Sequence, residues 1–220
     1  MSHAKLVIGN KNYSSWSMRP WLLLKAFEIP FDEINIALYQ DNTAEKLGPY
    51  SPSLKVPAFL HTETTVWDSL AICEYISEQL LEGRGWPINP KKRASARSVC
   101  AEMHAEFPHL KKEWPMNCKA SVDLFVSEKL EEEIARIDAI WSCCRRKYGA
   151  DGDYLFGKFS IADCTFAPMA ICFRSYGAKL SMEAQRYADT LLANPHIQDW
   201  IRQGRAEEES ISMSNVSNMF

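Results

Sequence analysis

After residue 90 the sequence offers no strand pattern, and this one-way change restricts the fold more than any other feature. Before it, strand and helix signals alternate. KLVIGN (residues 5–10) is a short apolar run closed by Gly9-Asn10, which suits a buried strand. Residues 16–27 carry Trp16, Leu23, Leu24 and Phe27 at helical spacing, and Ile29-Pro30 stops the run. FDEINIAL (31–38) alternates, with Ile34, Ile36 and Leu38 on one face, and predicts a second strand. A polar helix or loop follows over 41–50. VPAFL (56–60) and VWD (66–68), either side of HTETT, read as a hairpin. Residues 69–81 place Leu70, Cys73, Ile76, Leu80 and Leu81 on one helical stripe. The predicted order is β-α-β-α-β-β-α. LEGRGWPINP (81–90) then holds two glycines and two prolines and reads as a linker. Beyond it, 91–114, 122–148, 160–176 and 181–203 all read as helices. The expectation is an α/β domain over 1–82, a linker over 83–90 and an all-helical domain over 91–220.

The totals agree with one large domain or two small ones sharing an interface. The 220 residues are 46% apolar and 24% charged, enough for a core and ordinary for a soluble chain. A net charge of −3 gives no long-range attraction to nucleic acid or to anionic membrane. The run Lys91-Lys92-Arg93 is too short for a phosphate-binding patch and reads as a solvated helix start. The 7 cysteines are odd in number and include no CxxC pair, which suits a reducing compartment rather than a disulfide scaffold. No stretch reaches the ~18 apolar residues of a membrane span. MSHAKLVIGN lacks a secretion signal's apolar core, so a cytoplasmic location is expected.

NYSSWSMRPW (12–21) crowds three serines into the junction between the first strand and the first helix. No histidine lies near it and no GxSxG elbow exists, so a serine nucleophile with its own base is not indicated. One serine must cap the helix. Pro20 belongs in a first turn, where its missing N–H is harmless, and this predicts Ser17 as the cap with Ser14 in the preceding loop.

The chain resembles the glutathione transferase superfamily over nearly its whole length. The resemblance rests on the β-α-β-α-β-β-α unit, on Val-Pro before its third strand, on an acidic-Ser pair opening its last helix, and on the helical second half. SSWS followed by Arg19 is similar to the SSCS-x-R motif of the zeta class, and LKVPAFL and DSLAICEYI resemble its glutathione-site segments. The string NYSSWSMRPWLLLKA, with MHAEF and PMN, resembles a bacterial branch of the superfamily. Two positions depart from the pattern. Trp16 stands where the zeta motif has cysteine, and Ser14 where thioredoxin-like and omega-type relatives carry a redox cysteine. Both changes remove a thiol, which speaks against thiol–disulfide exchange.

The resemblance implies a thioredoxin-like domain followed by a helical domain, with glutathione as co-substrate, a small electrophile as second substrate, a homodimeric assembly and no metal. A serine hydroxyl then has a definite task. A free thiol has a pKa near ~8.5, and lowering it by two units requires roughly 2.7 kcal/mol of preference for the anion. A hydrogen bond to a charged group supplies roughly 1.5–3 kcal/mol and a helix N-terminus roughly 0.3–1 kcal/mol, so the two together suffice. Ser14 is the first candidate for the sulfur contact and Ser15 the second. Arg19 either adds positive potential at the site or pairs structurally between the domains. For the tripeptide, Val56-Pro57 resembles the cis-proline junction that presents backbone groups to an extended peptide. Asp68 faces the α-amino group, and Ser69 with the helix N-terminus takes the γ-glutamyl carboxylate. Lys55 and Gln40 are candidates for the remaining polar ends.

The acceptor pocket is expected beside the sulfur, with Tyr13 and Trp16 on one wall and Met103, His104 and Phe107 on the other. His104 and His109 are five apart and lie on different helix faces, so no metal pair is read there. FSIADCTF (159–166) carries a capping box, Ser160 with Asp163. Two further functions stay open. One is glutathione-dependent cis–trans isomerisation of a maleylacetoacetate- or maleylpyruvate-type diacid, for which Arg19 and Arg174 are the basic candidates. The other is a non-catalytic binding module.

Overall fold

Ala4–Ile8 forms β1, the strand about which the first half is arranged. The computed structural model describes residues 4–122, 124 and 126–212. Leu6, Val7 and Ile8 are fully buried, as a central strand covered on both faces requires. β2 (Phe31–Asn35) pairs parallel to β1, β3 (Ala58–His61) pairs antiparallel to it, and β4 (Thr64–Trp67) pairs antiparallel to β3. The sheet order is β2-β1-β3-β4. The predicted second strand ran to residue 38, but the ladder stops sooner because β1 itself ends at Ile8. Ile36 N–H makes a last bond to Ile8 C=O (2.9 Å), and Leu38 N–H turns to the side chain of Asn10 (2.8 Å).

One face of the sheet carries α1 (Ser15–Ala26) and α3 (Ser69–Gln79). The other meets the short α2 (Thr43–Leu47), where Val7, Ile36, Leu47 and Ala58 close a small core. The remaining helices are α4 (Pro90–Ala105), α5 (Pro108–Glu113), α6 (Glu128–Tyr148), α7 (Ile161–Tyr176), α8 (Met182–Ala193) and α9 (Pro195–Ala206). α7 is buried along almost its whole length and packs against α1, α4 and α8. One hydrophobic core therefore runs from β1 through α1 and α7 to Trp200 of α9. Among the described residues no helix is long and apolar enough to cross a membrane.

Three predicted helices differ from those found, each for a local reason. Residues 91–114 split because Phe107 adopts a left-handed conformation (φ 67°, ψ 50°), and Pro108 starts α5. Residues 181–203 split at Asn194-Pro195. Asn194 is extended, as a residue before proline prefers, and its side chain accepts from His196 N–H (2.9 Å) and Ile197 N–H (3.3 Å) to cap α9. α6 begins at Glu128 rather than 122, because Ser127 caps it and Val122 N–H is bound to Ser175 C=O (2.9 Å). The capping box of α7 is present: Ser160 Oγ accepts from the first turn, and Asp163 Oδ2 accepts from Ser160 N–H (2.8 Å).

Candidate functional site

The turn between β1 and α1 is built around Asn10. Its carbonyl accepts from Tyr13 N–H (3.1 Å) and Ser14 N–H (2.8 Å), which folds the chain back sharply into the helix. α1 therefore starts a turn earlier than the proline suggested. Ser14, not Ser17, is the cap: its Oγ accepts from Ser17 N–H (3.4 Å). Pro20 lies inside the helix and has no N–H to give the Trp16 carbonyl. Burial of residues 17–24 outweighs that loss. Ser17, fully buried, has a different part. Its Oγ accepts from Gly9 N–H (3.1 Å) and from the Ser14 hydroxyl (2.7 Å).

Ser14 opens on a cleft of about 620 Å³. Tyr13, Ser14, Ser15, Trp16, Gln40, Lys55 and Val56 all line it, so seven residues singled out in the sequence converge on one space. Pro57 is buried behind Val56, and the bond between them is cis. The opposite wall differs from the expected one. Lys111, Trp114, Pro115 and Met116 come from α5 and its exit, and Met169 and Cys172 from α7. Met103 and Phe107 are instead buried in the core and do not line the cleft. The left-handed Phe107 turns the chain so that α5, rather than α4, faces the cavity. Trp114 stacks on Tyr176 (5.4 Å between rings), and Tyr176 OH donates to Pro115 C=O (2.7 Å), which fixes that wall. Trp114 Nε1 is buried without a partner.

Asp68 and Ser69 lie outside this lining, at the N-terminus of α3. Asp68 has φ 73°, unusual for a residue with a side chain, and its Oδ1 accepts from Leu70 N–H (2.9 Å) and Ala71 N–H (3.3 Å). Ser69 is 1% exposed, and its hydroxyl finds no partner. A buried hydroxyl left unpaired is costly unless a ligand or water completes it.

His104 bridges the two halves. Its Nε2 lies 3.2 Å from Asp68 Oδ2, and its ring meets Trp16 edge-on at 5.1 Å. Burial holds its pKa below the ordinary value, against the opposing pull of Asp68. Arg19 is 3% exposed and stacks over the Trp16 ring at 4.3 Å. Its Nε has no hydrogen-bond partner, and no ion pair holds it among the described residues, so of its two candidate roles the structural ion pair is not seen there. Burial lowers its pKa to about 10, which leaves it cationic at neutral pH. Lys111 Nζ lies 5.4 Å from the same indole. Arg174, the other basic candidate, is exposed and does not line the cleft. Burial raises the thiol of Cys172 well above its ordinary range, so the one cysteine in the lining is held as a neutral thiol.

A four-stranded thioredoxin-like sheet, a helical second half and a cleft at the start of α1 define the glutathione transferase class of fold. Residues 13–79 match the family described as glutathione S-transferase, N-terminal domain. A probable maleylacetoacetate isomerase of Caenorhabditis elegans is 31% identical over 99 residues, 45% of this chain and 46% of that one. A probable glutathione S-transferase of Glycine max is 39% identical over 77 residues, 34% of this chain and 32% of that one. The matched stretches thus span less than half the length of either curated relative. Among solved structures, a glutathione transferase homologue from Burkholderia gl BGR1 with bound glutathione superposes with a TM-score of 0.70 at 23% identity. It covers 93% of this chain and 100% of that one. At that identity the likeness concerns the fold. The sequence likeness to the glutathione S-transferase N-terminal domain is thus confined to residues 13–79, and the likeness of the two halves together is one of fold.

Proposed function

We propose that the protein is a glutathione transferase in which Ser14 holds the glutathione sulfur as a thiolate. The single observation that carries this reading is the hydroxyl pair at the mouth of the cleft. Ser14 now donates to Ser17, but a hydroxyl proton rotates freely and each oxygen has two acceptor sites. When a thiolate arrives, both protons turn. Ser17 O–H donates to Ser14 Oγ, and Ser14 O–H donates to sulfur. Every donor keeps an acceptor, because Ser17 Oγ still accepts from Gly9 N–H and Ser14 Oγ still accepts from Ser17 N–H. Chained hydroxyls polarise one another, and the α1 N-terminus adds its own positive end. Ser15, half-buried in the same lining, is the second donor within reach.

Glutathione lies extended along Val56-Pro57. Its γ-glutamyl carboxylate takes the orphan Ser69 hydroxyl and the first N–H groups of α3, and its amino group takes Asp68. Lys55 and Gln40 serve the glycyl end. The thiol proton leaves to solvent, the sulfur pair forms a C–S bond to an electrophilic carbon, and the leaving group departs with its electrons. The electrophile lies against Tyr13, Trp16, Trp114 and Met116. The enzyme works as a homodimer in the cytoplasm, without metal.

The test is a Ser14→Ala variant with a chloronitrobenzene as electrophile. Losing a hydrogen bond to a charged group of roughly 1.5–3 kcal/mol lowers kcat/KM by about 10- to 100-fold, with the pH profile moved to higher pH. Retained turnover with an unaltered pH profile rejects the assignment. A second reading, thiolate-mediated isomerisation of a diacid, is favoured by the Caenorhabditis elegans relative's name. The lining cation left for the diacid, with Lys55 serving glutathione, is Lys111. Unchanged substrate mass with glutathione not consumed selects it over conjugation.

A further inference from the structure

Ser14 sits at the end of a loop whose backbone is held by residues nearly two hundred positions later. Glu207, just after α9, accepts from Lys11 N–H (2.7 Å) through Oε1 and from Asn12 N–H (3.0 Å) through Oε2. Trp200 Nε1 donates to Lys11 C=O (2.9 Å). Gly204 lies so close that a Cβ there would meet Asn12 N and Lys11 C at 3.0 Å, so only glycine lets the helix approach this near. From the other side Cys118 N–H donates to Asn12 C=O (3.2 Å), and Lys119 N–H to Asn12 Oδ1 (3.2 Å). The Lys11 ammonium is buried against Glu33 Oε1 (2.5 Å), with the Trp21 and Trp200 rings 5.3 and 5.5 Å away. Every peptide group of residues 11 and 12 is thus committed to a partner outside the loop. Two residues on, the Asn10 carbonyl fixes Tyr13 and Ser14.

We infer that α9 and Glu207 set the position of the sulfur-holding turn, with Glu207 and Trp200 as positioning residues for the chemistry at Ser14. None of them lines the cleft, so their effect passes through the loop. The inference rests on the proposed role of Ser14. Its logic is that a donor to a thiolate must be held within a few tenths of an ångström, since hydrogen bonds weaken steeply with misalignment. Packing α9 alone would not require a carboxylate fork on two successive N–H groups.

The experiment compares wild type with Glu207→Gln, which keeps the side chain's shape, and Trp200→Phe, which keeps an aromatic ring without the indole N–H. Glu207→Gln sets an amide nitrogen against one of the two N–H groups, and Trp200→Phe removes the donor to Lys11 C=O together with part of the buried ring. The readout is the pKa of bound glutathione, followed by its thiolate ultraviolet absorbance, together with kcat and the KM for glutathione. The expected result is a thiol pKa raised by about one unit in each variant, and a kcat at pH 7 about threefold lower that recovers as the pH is raised. The KM for glutathione should stay within about twofold, because its peptide contacts lie at Val56 and α3. Variants that fold and leave the thiol pKa at the wild-type value overturn the inference while sparing Ser14. A wild-type pKa already at the free-thiol value overturns the Ser14 reading and this inference with it.

Discussion

The Ser14 hydroxyl has one proton and two acceptors that can take it, the Ser17 oxygen now and the sulfur of a bound thiolate. Capping and the proposed sulfur contact would therefore use different parts of the same side chain: the oxygen lone pairs close the helix, and the proton is free to be redirected. Ser17 is the residue that makes the redirection possible. Ser17→Ala should raise the pKa of bound glutathione, because Ser14 loses the hydroxyl that donates back to it. The same change leaves Gly9 N–H buried without an acceptor, so stability should fall by about 1–3 kcal/mol in denaturant unfolding. A variant less stable by that amount but with an unmoved thiol pKa would confine Ser17 to structure. Trp16 occupies the position where the related motif carries cysteine, and here the indole is a platform. Arg19, His104 and Lys111 all bear on it.

At the level of elements, caps decide more than propensity does. Asp163 closes the capping box and also accepts from Leu155 N–H (3.0 Å) and from Tyr187 OH (2.9 Å). Ser160→Ala should therefore destabilise by about 1 kcal/mol, as a lost N-cap does. Asp163→Ala should remove at least about 3 kcal/mol, because several buried donors lose their acceptor at once. Equal midpoints for the two variants in thermal unfolding would contradict the hub role of Asp163. The α3–α4 contact carries a pH dependence. Burial keeps the His104 imidazole below its ordinary pKa of 6.5, so the folded state prefers the neutral ring. Its contribution to stability is then present above that value and lost as the pH falls below it toward the lowered folded value. His104→Gln should flatten the decline of the unfolding temperature between about pH 7 and pH 5. A decline as steep as in wild type would contradict this.

The elements also show where the sequence was readable. β1, α1, α3 and α7 follow directly from apolar spacing and a cap or stop residue. Pro108 marks in the sequence that the helix bends or ends near it, as it does, whereas the break at Asn194-Pro195 was not read because apolar spacing continues across it. The Asn-Pro pair was the available signal for the second break. Ser14, Ser15, Val56 and Lys55 could be named in advance because they sit within motifs. Lys111, Trp114, Met116 and Met169 could not, since their place in the wall depends on the turn at Phe107. The α9 clamp on residues 11 and 12 was equally hidden, as nothing in local sequence ties Glu207 to Lys11.

For the molecule as a whole, the two halves share one core, and the cleft is the space their packing leaves open. Six of the seven cysteines are buried and Cys143 is exposed. A brief treatment of the native protein with a thiol reagent should label Cys143 alone by mass spectrometry, with the others reacting only on unfolding. Early labelling of Cys172 would mean that the cleft reaches deeper and opens more readily than the packing of α7 allows. The proposed dimer is checked by light scattering, where a monomer mass at micromolar concentration would argue against it. The central claim is that the first turn of α1 holds a borrowed sulfur, and it is tested most directly by a structure with glutathione bound. The sulfur within hydrogen-bond reach of Ser14 Oγ, with the peptide running past Val56 toward α3, is the expected result. A sulfur lodged away from residues 13–17, or a tripeptide bound elsewhere, would contradict it.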